Sequence, residues 1–551
     1  MTESRTLWQR REGSRSGPAA PALWQPRLPA WLGSRLGPYP EAPGANGNSN
    51  GNGQHAANGS GHGGGANGAG GKGASASAPA PGDGQLSQLA VRGGAYLLRR
   101  EGIGMFIRLG GVVVTVREIG PGAYGIYSAA LAFVTVAAVL AQMGAEVYLI
   151  RQPGELGDSI YNRAYTLLLC TSVGVTAVGL AGTVVLAHVL RPVGVVVPLR
   201  VMLLCVPINV LWAPAQAKIE RRFGYRQMGW LELGGDFMLY ATAVPLSLLG
   251  FGAWSLIFGY FAWQTYLLVG SIFFSQLRPR WNWSFDENMR LVRHGGPYSA
   301  TQGVLRLSGV INALVVGSFA GATGVGYVAF AARLVDVVGF ASRSAYRLGL
   351  VAMSKVADTD EGRIRFALER GTVLQMLALG LPLAGFGLLS PWLVPAVFGK
   401  EWTGALVLYA LFALARVLNA PSLTFGTFLL SRGRNWQCFV SGTIGIVLLA
   451  ALSVPLTRQF GADGFGWAYV IALVDIVYLD RVVRRIAPHG YATIVGFAAV
   501  LTPPILFPLF PRPAAYAVVL PVLLLAAVPV LRNESLAVVA QVRSAMLRRA
   551  A

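Results

Sequence analysis

From Gly93 onward the chain is a succession of apolar runs, each about as long as a bilayer is thick, joined by short polar turns. Crossing the hydrocarbon takes about 20 mostly apolar helical residues. Inside it every backbone polar group needs a partner within the protein, which a helix supplies and an open strand does not. About fourteen such runs can be marked, from 95–117, 124–149 and 164–190 to 491–510 and 513–531. The expected fold is therefore all-α and polytopic, with the last pair interrupted by Pro503, Pro504, Pro508, Pro511 and Pro513.

Composition agrees. Hydrophobic residues make up 54% of the chain and charged ones 13%, against about a quarter charged in a soluble domain. That argues against a soluble enzyme. Lys and Arg number 45 against 24 Asp and Glu, a formal net charge of +21, which suggests a polyanionic partner. Nucleic-acid binding needs basic residues gathered on a solvated surface, whereas here they are scattered between apolar runs, so no nucleic acid is expected.

The distribution of basic residues orients the map. With the N-terminus inside, only Arg117, Arg191, Arg200, Lys400, Arg458 and Arg512 fall on the outer side. The cytoplasmic side takes Arg151, Lys218, Arg221, Arg222, Arg226, Arg278, Arg280, Arg290, Arg481, Arg532 and many others, where they meet anionic membrane lipids. One miscounted helix would invert this contrast. A multi-pass protein of a bacterial inner membrane with both termini cytoplasmic is expected.

Residues 1–90 form a segment of another kind, dominated between Glu41 and Gly84 by Gly, Ala, Asn, Ser and Pro. Such a segment cannot bury enough apolar surface to offset chain entropy, so a disordered cytoplasmic tail is expected. Trp8, Trp24 and Trp31 lie there among arginines. The first long apolar run starts near Ile103, too late for a secretory signal. A second short tail, 532–551, closes the chain. Cys170, Cys205 and Cys438 sit in apolar runs without metal-ligand spacing, so they read as small buried hydrophobes, and no metal or cofactor is expected. The longest connection runs only from about Gln276 to His294, leaving no room for an inserted catalytic domain. A transporter rather than an enzyme is expected.

The chain repeats itself. Gly120-Pro-Gly-Ala-Tyr-Gly125 opens the second run, and Gly321-Ala-Thr-Gly-Val-Gly326 opens the eighth, 201 residues later. An even number of crossings separates them, so both turns lie on one side. Two parallel six-helix lobes, 94–275 and 295–485, follow, with an added helix pair at 490–531. Charged residues at mid-depth are costly and usually face a partner or a cavity. Arg108, Arg306, Arg333 and Arg416 are such residues, as are Asp236, Asp336 and Asp475. At about 100° per residue, Arg333, Asp336, Arg343 and Arg347 share one helix face, as do Ser299, Gln302 and Arg306, and Glu101, Arg108 and Thr115. Arg333 and Asp336 read equally well as an internal ion pair. Arg108 and Arg306 have no acid one turn away and read as lining a cavity, where guanidinium groups suit pyrophosphate. Glu232 and Asp236 repel at i,i+4; Asp236, Asp336 and Asp475 remain as ion- or proton-coupling candidates.

Arg117-Glu-Ile-Gly120-Pro121-Gly-Ala-Tyr124-Gly125 resembles the first-loop signature of bacterial polysaccharide-repeat (O-antigen) flippases. Gln142-Met-Gly144, Arg278-Pro279-Arg280, Gly326-Tyr327, Arg333-Leu334 and Phe398-Gly399-Lys400-Glu401-Trp402 follow in the order expected of that family. The resemblance covers about 94–485. It implies membership of the multidrug, oligosaccharidyl-lipid and polysaccharide exporter superfamily, with two lobes around a central cavity and alternating access. The implied substrate is an undecaprenyl-pyrophosphate-linked oligosaccharide moved outward for lipopolysaccharide or exopolysaccharide assembly, with a polymerase or chain-length machinery as partner. Arg117 matches the family pattern directly and Arg333 loosely. Two alternatives remain open: lipid II flipping, and cation-coupled drug export. The second is the less favoured, since four mid-depth arginines face three aspartates.

Overall fold

The computed structural model describes residues 83–190, 194–338, 361–432, 434–510, 514–529, 531–533 and 535–536. Of the tail expected over 1–90, residues 1–82 lie outside the described residues, while 83–90 are helical and begin the first helix. Arg343, Arg347 and the last residues from 537 also lie outside the described residues, as does the Glu101 side chain. Every regular element among the described residues is helical. In the first half these are α1 (Asp83–Gln142), α2 (Ala145–Arg151), α3 (Asp158–Leu190), α4 (Val196–Leu203), α5 (Val206–Leu211), α6 (Ala213–Arg221), α7 (Tyr225–Leu248) and α8 (Ala253–Ser275). The second half has α9 (Phe285–Ile311), α10 (Gly317–Val338), α11 (Glu361–Phe398), α12 (Ala405–Leu418), α13 (Ala420–Ser431), α14 (Asn435–Phe460), α15 (Ala462–Ile471) and α16 (Ile476–Arg484). A last pair follows, α17 (Ala492–Leu506) and α18 (Ala514–Ala527).

Among the described residues nine helices are long and apolar enough to cross a membrane, and ten if α12 and α13, bent by 41°, form one broken span. Two of the nine apolar runs, Ile107–Gln142 and Phe285–Val338, each contain two arms divided at a glycine, so helices and expected crossings do not correspond one to one. The chain is a multi-pass membrane protein.

Those dividing glycines organise the bundle. Gly120 has φ 72° and Gly321 has φ 67°, left-handed conformations open chiefly to glycine. Each reverses its helix sharply, and Pro121 then starts the second arm of α1, where a missing N–H is no loss. The two reversed arms cross backbone to backbone. A methyl group on Gly125 would overlap the carbonyl of Ala322, and one on Gly326 would overlap the carbonyl of Pro121. In lipid, helices gain little from the hydrophobic effect on pairing, so this close approach of small residues is what holds them.

Aromatic side chains surround the crossing. Tyr124 of α1 meets Phe330 of α10 edge-on with centroids 6.4 Å apart, and Trp402 at 5.7 Å. Trp402 is fully buried and packs on Phe330 at 4.3 Å. Arg117 reaches across to the end of α11, donating from Nη1 to the carbonyls of Ala396 at 3.5 Å and Val397 at 3.4 Å. Those are terminal carbonyls without intrahelical partners.

The far end of the second arm of α1 is also packed. The second arm of α1 follows α9, with Ala132 against Gly309, Leu140 against Gly303 and the backbone of Met143–Gly144 against Gly295. Arg163 pairs with Glu287, and the amides of Arg280 and Asn282 donate to Asn162 at 3.2 Å and Thr166 at 3.0 Å. Arg221 closes α2 by donating to the carbonyls of Leu149, Ile150, Gln152 and Gly154. On α11, Gly380 and Gly387 let Leu501 and the backbone of Pro504 approach, which seats α17.

Beyond the left-handed break at Gly144 stands Glu146, bonded by Gln142 at 3.4 Å and by Gln216 at 3.2 Å, with Gln216 also donating to Glu220 at 2.8 Å. Burial, and after it the Glu220 carboxylate, push the Glu146 carboxyl up to about 7. An acid raised in the folded state favours folding while protonated, and that advantage is lost as pH climbs from its ordinary value through about 7. Glu146→Gln should therefore leave stability unchanged near pH 4.5 and raise it by about 1–2 kcal/mol at pH 8. Thermal melts of both proteins across that range check the prediction; a constant difference would exclude this group as its source.

Gly125→Leu or Gly326→Leu should force the crossing apart while the chain still inserts. Labelling of a cysteine placed at Ala123 by an impermeant thiol reagent should rise in both variants, and equal labelling would mean the crossing is not what shields that position.

Candidate functional site

Arg108 lies on the first arm of α1. Its Nε donates to the Gly104 carbonyl at 3.1 Å and stands 3.4 Å from Oδ2 of Asp236 on α7. A methyl on Gly104 would come within 3.2 Å of Leu233 and 3.3 Å of the guanidinium, so glycine leaves the space this pair occupies. Two turns on, Tyr240 lies so close over Gly111 that any side chain there would overlap its ring. The expectation that Arg108 lacks an acid neighbour is thus corrected. Its partner comes from α7, which phase along a single helix cannot reveal.

Arg333 comes from α10. It is exposed and forms no ion pair among the described residues. Its field reaches Tyr124, Tyr127 and Tyr240, and those of Asp236 and Arg108 reach Tyr240 as well. Arg306 on α9 is exposed, and its field reaches Tyr260 of α8, which accepts from Nδ2 of Asn209 at 2.7 Å. Gln302 is half-buried one turn before Arg306.

Asp336 does not take Arg333. Nη2 of Arg416 on α12 lies 3.4 Å from its Oδ1 instead, so the i,i+3 alternative gives way to a contact between helices. Arg416, Asp336 and Asp475 all act on Tyr469, and Asp475 accepts from the Ser441 hydroxyl at 3.1 Å. Gly445 adjoins this carboxylate, leaving 3.2 Å to a side chain's first carbon. Arg117 belongs to neither group; it is bound to the end of α11.

Arg306 and Arg333 thus carry exposed positive charge with no ion pair among the described residues, and such charge attracts anions. Asp336 and Asp475 have partners in Arg416 and Ser441. The tyrosines were not singled out from sequence. Their signal, an aromatic ring with a polar tip on a face that also carries Arg or Asp, is visible only once helices from different parts of the chain are side by side. No set of three His, Cys, Asp or Glu side chains converges as a metal site among the described residues.

Asp236→Ala should lower thermal stability by about 3 kcal/mol, because it strands a half-buried guanidinium, and the Arg108→Ala/Asp236→Ala double variant should recover part of that loss. Strictly additive losses would mean the two side chains do not act as a pair.

The family model described as "Polysaccharide biosynthesis protein" matches residues 114–407, more than half of the chain. The chain is also similar to the succinoglycan biosynthesis transport protein ExoT of Rhizobium meliloti (strain 1021), at 24% identity over 388 residues, 68% of this chain and 76% of that protein. Among solved structures its fold resembles the lipid II flippase MurJ in an inward closed conformation, with TM-score 0.62 and 14% identity over 79% of this chain and 96% of that one. It also resembles an inward-facing multidrug resistance MATE family transporter of the MOP superfamily, with TM-score 0.54 and 13% identity over 70% and 97%. By that match over 114–407, the chain belongs to the polysaccharide biosynthesis protein family.

Proposed function

We propose that the protein is a flippase that carries undecaprenyl-pyrophosphate-linked oligosaccharide repeats across the bacterial inner membrane, by alternating access, for lipopolysaccharide or exopolysaccharide assembly. The observation that carries this reading is the set of arginines on membrane helices of both halves of the chain, Arg108 beside Asp236 and the exposed Arg306 and Arg333. Guanidinium groups bind phosphate oxygens bidentately and keep their charge at every working pH. Tyrosines offer hydroxyls and ring faces to sugars. Family membership and the likeness to a transport protein of succinoglycan synthesis support the same direction.

In this reading the lobes are 94–275 and 295–485, the pair 490–531 is added to them, and both termini are cytoplasmic. The Gly125–Gly326 crossing then seals the outer end. The pyrophosphate enters from the cytoplasmic leaflet and is held by Arg306, Arg333 and Arg108, with Gln302 toward the sugars, while the lipid tail stays in the bilayer. Rocking of the lobes would release the crossing and expose the site outward. Asp336, Arg416 and Asp475 form the group at which a coupling ion or proton would act. Arg117 contributes by locking the closed end rather than by touching substrate.

Deletion of the gene should abolish surface polysaccharide and leave its lipid-linked repeat accumulated in the cytoplasmic leaflet. Intact polysaccharide, or accumulation of the peptidoglycan precursor instead, would overturn the reading. Arg306→Ala and Arg333→Ala should each reduce complementation of that deletion by about tenfold or more at unchanged membrane abundance, the scale of one lost charge-assisted hydrogen bond. Full complementation by both would remove these residues from the phosphate site.

A further inference from the structure

A cavity of about 360 Å³ lies apart from the interlobe group, where α6 turns into α7 beside the end of α8. Arg222, Phe223, Arg226, Gln227, Phe274 and Ser275 line it. Its depth is set by its walls: the apolar spans Val196–Arg221 and Ala253–Ser275 both end there, which places it at the boundary between hydrocarbon and headgroups.

Its shape is built into a strained turn. Phe223 has φ 53°, a left-handed conformation that a bulky residue rarely adopts. The turn is held by the amide of Phe223 donating to the Glu220 carbonyl at 2.9 Å and that of Gly224 to the Ile219 carbonyl at 3.0 Å. A side chain at Gly224 would press on Ile219 and Gln227 at 2.8 and 2.5 Å. The result turns the Phe223 ring outward, 75% exposed, while half-buried Phe274 of α8 forms part of the same wall. Both guanidinium-bearing residues of the wall, Arg222 and Arg226, are exposed and form no ion pair among the described residues.

We propose that this cavity binds an anionic phospholipid of the surrounding leaflet, with the headgroup phosphate between Arg222 and Arg226 and an acyl chain against Phe223 and Phe274. The volume is that of a small-ligand pocket. Cationic and aromatic residues together at headgroup depth match a phosphate joined to a hydrocarbon tail. A free phosphate ion would use the arginines but leave the two aromatic rings of the wall unexplained. Which leaflet is occupied rests on the orientation adopted for the proposed function; the binding itself does not.

The test uses the full-length protein in phosphatidylcholine nanodiscs, titrated with phosphatidylglycerol, with thermal unfolding as the readout and no oligosaccharide present. Failure here therefore leaves the flipping assays untouched, and failure of those leaves this result standing. Phosphatidylglycerol should raise the melting temperature, and Arg222→Gln/Arg226→Gln should need about thirtyfold more of it for the same shift. The melting temperature in pure phosphatidylcholine should stay the same. Phe223→Ala should weaken the response while leaving both charges in place, and it serves as the second variant if the double one does not fold. An undiminished response in both variants overturns the proposal. So does an equal shift from inorganic phosphate, which would make the cavity a plain anion site, or a shift produced by undecaprenyl pyrophosphate alone.

Discussion

The crossing of the two reversed arms, Gly125 on the carbonyl of Ala322 and Gly326 on that of Pro121, is the contact on which the rest of the arrangement depends. Water supplies no force to press membrane helices together, so their association rests on how closely backbones can approach. Here the approach is reciprocal: each glycine receives a carbonyl from the residue just after its partner's left-handed break. That geometry brings Tyr124 over Phe330 and Trp402 and lets Arg117 reach the end of α11. Arg333 lies about two turns beyond Gly326 on the same arm of α10, so the crossing also fixes where that residue stands.

The Gly-x4-Gly pattern repeated 201 residues apart marks both breaks in the sequence, but the same spacing recurs at Gly461–Gly466, so spacing alone does not state that the first two meet backbone to backbone. The apolar runs and the all-helical class were legible, since each is a property of one segment at a time. The number of crossings was less so. Hydropathy registers apolar length, and the bends at Gly120, Gly321 and between α12 and α13 divide that length in ways hydropathy does not record.

Pairing between helices was the part that could not be read. Arg333 and Asp336 share a face, and an internal pair was a fair alternative, yet Asp336 turns to Arg416, 80 residues away. Arg108 has no acid one turn away on its own helix and meets Asp236 of α7. In each case one helix carries the cation and another the anion, and a sequence does not state which helices become neighbours. Arg117 illustrates the same limit from the other side. It matches a family pattern, and its placement gives the pattern a structural use, since an arginine before a reversed arm is in reach of the carbonyls that end a helix of the opposite lobe.

Burying an arginine near the middle of a bilayer costs about 3 kcal/mol on insertion scales, so Arg108, Arg306 and Arg333 with one aspartate paired among them are a costly arrangement for stability alone. Ion pairing offsets part of it at Arg108. Arg333 and Arg306 are exposed and form no ion pair among the described residues, so their charge is not offset in that way. Asp336 and Asp475 are met instead by Arg416 and Ser441, so these acids of the second half find their partners on other helices.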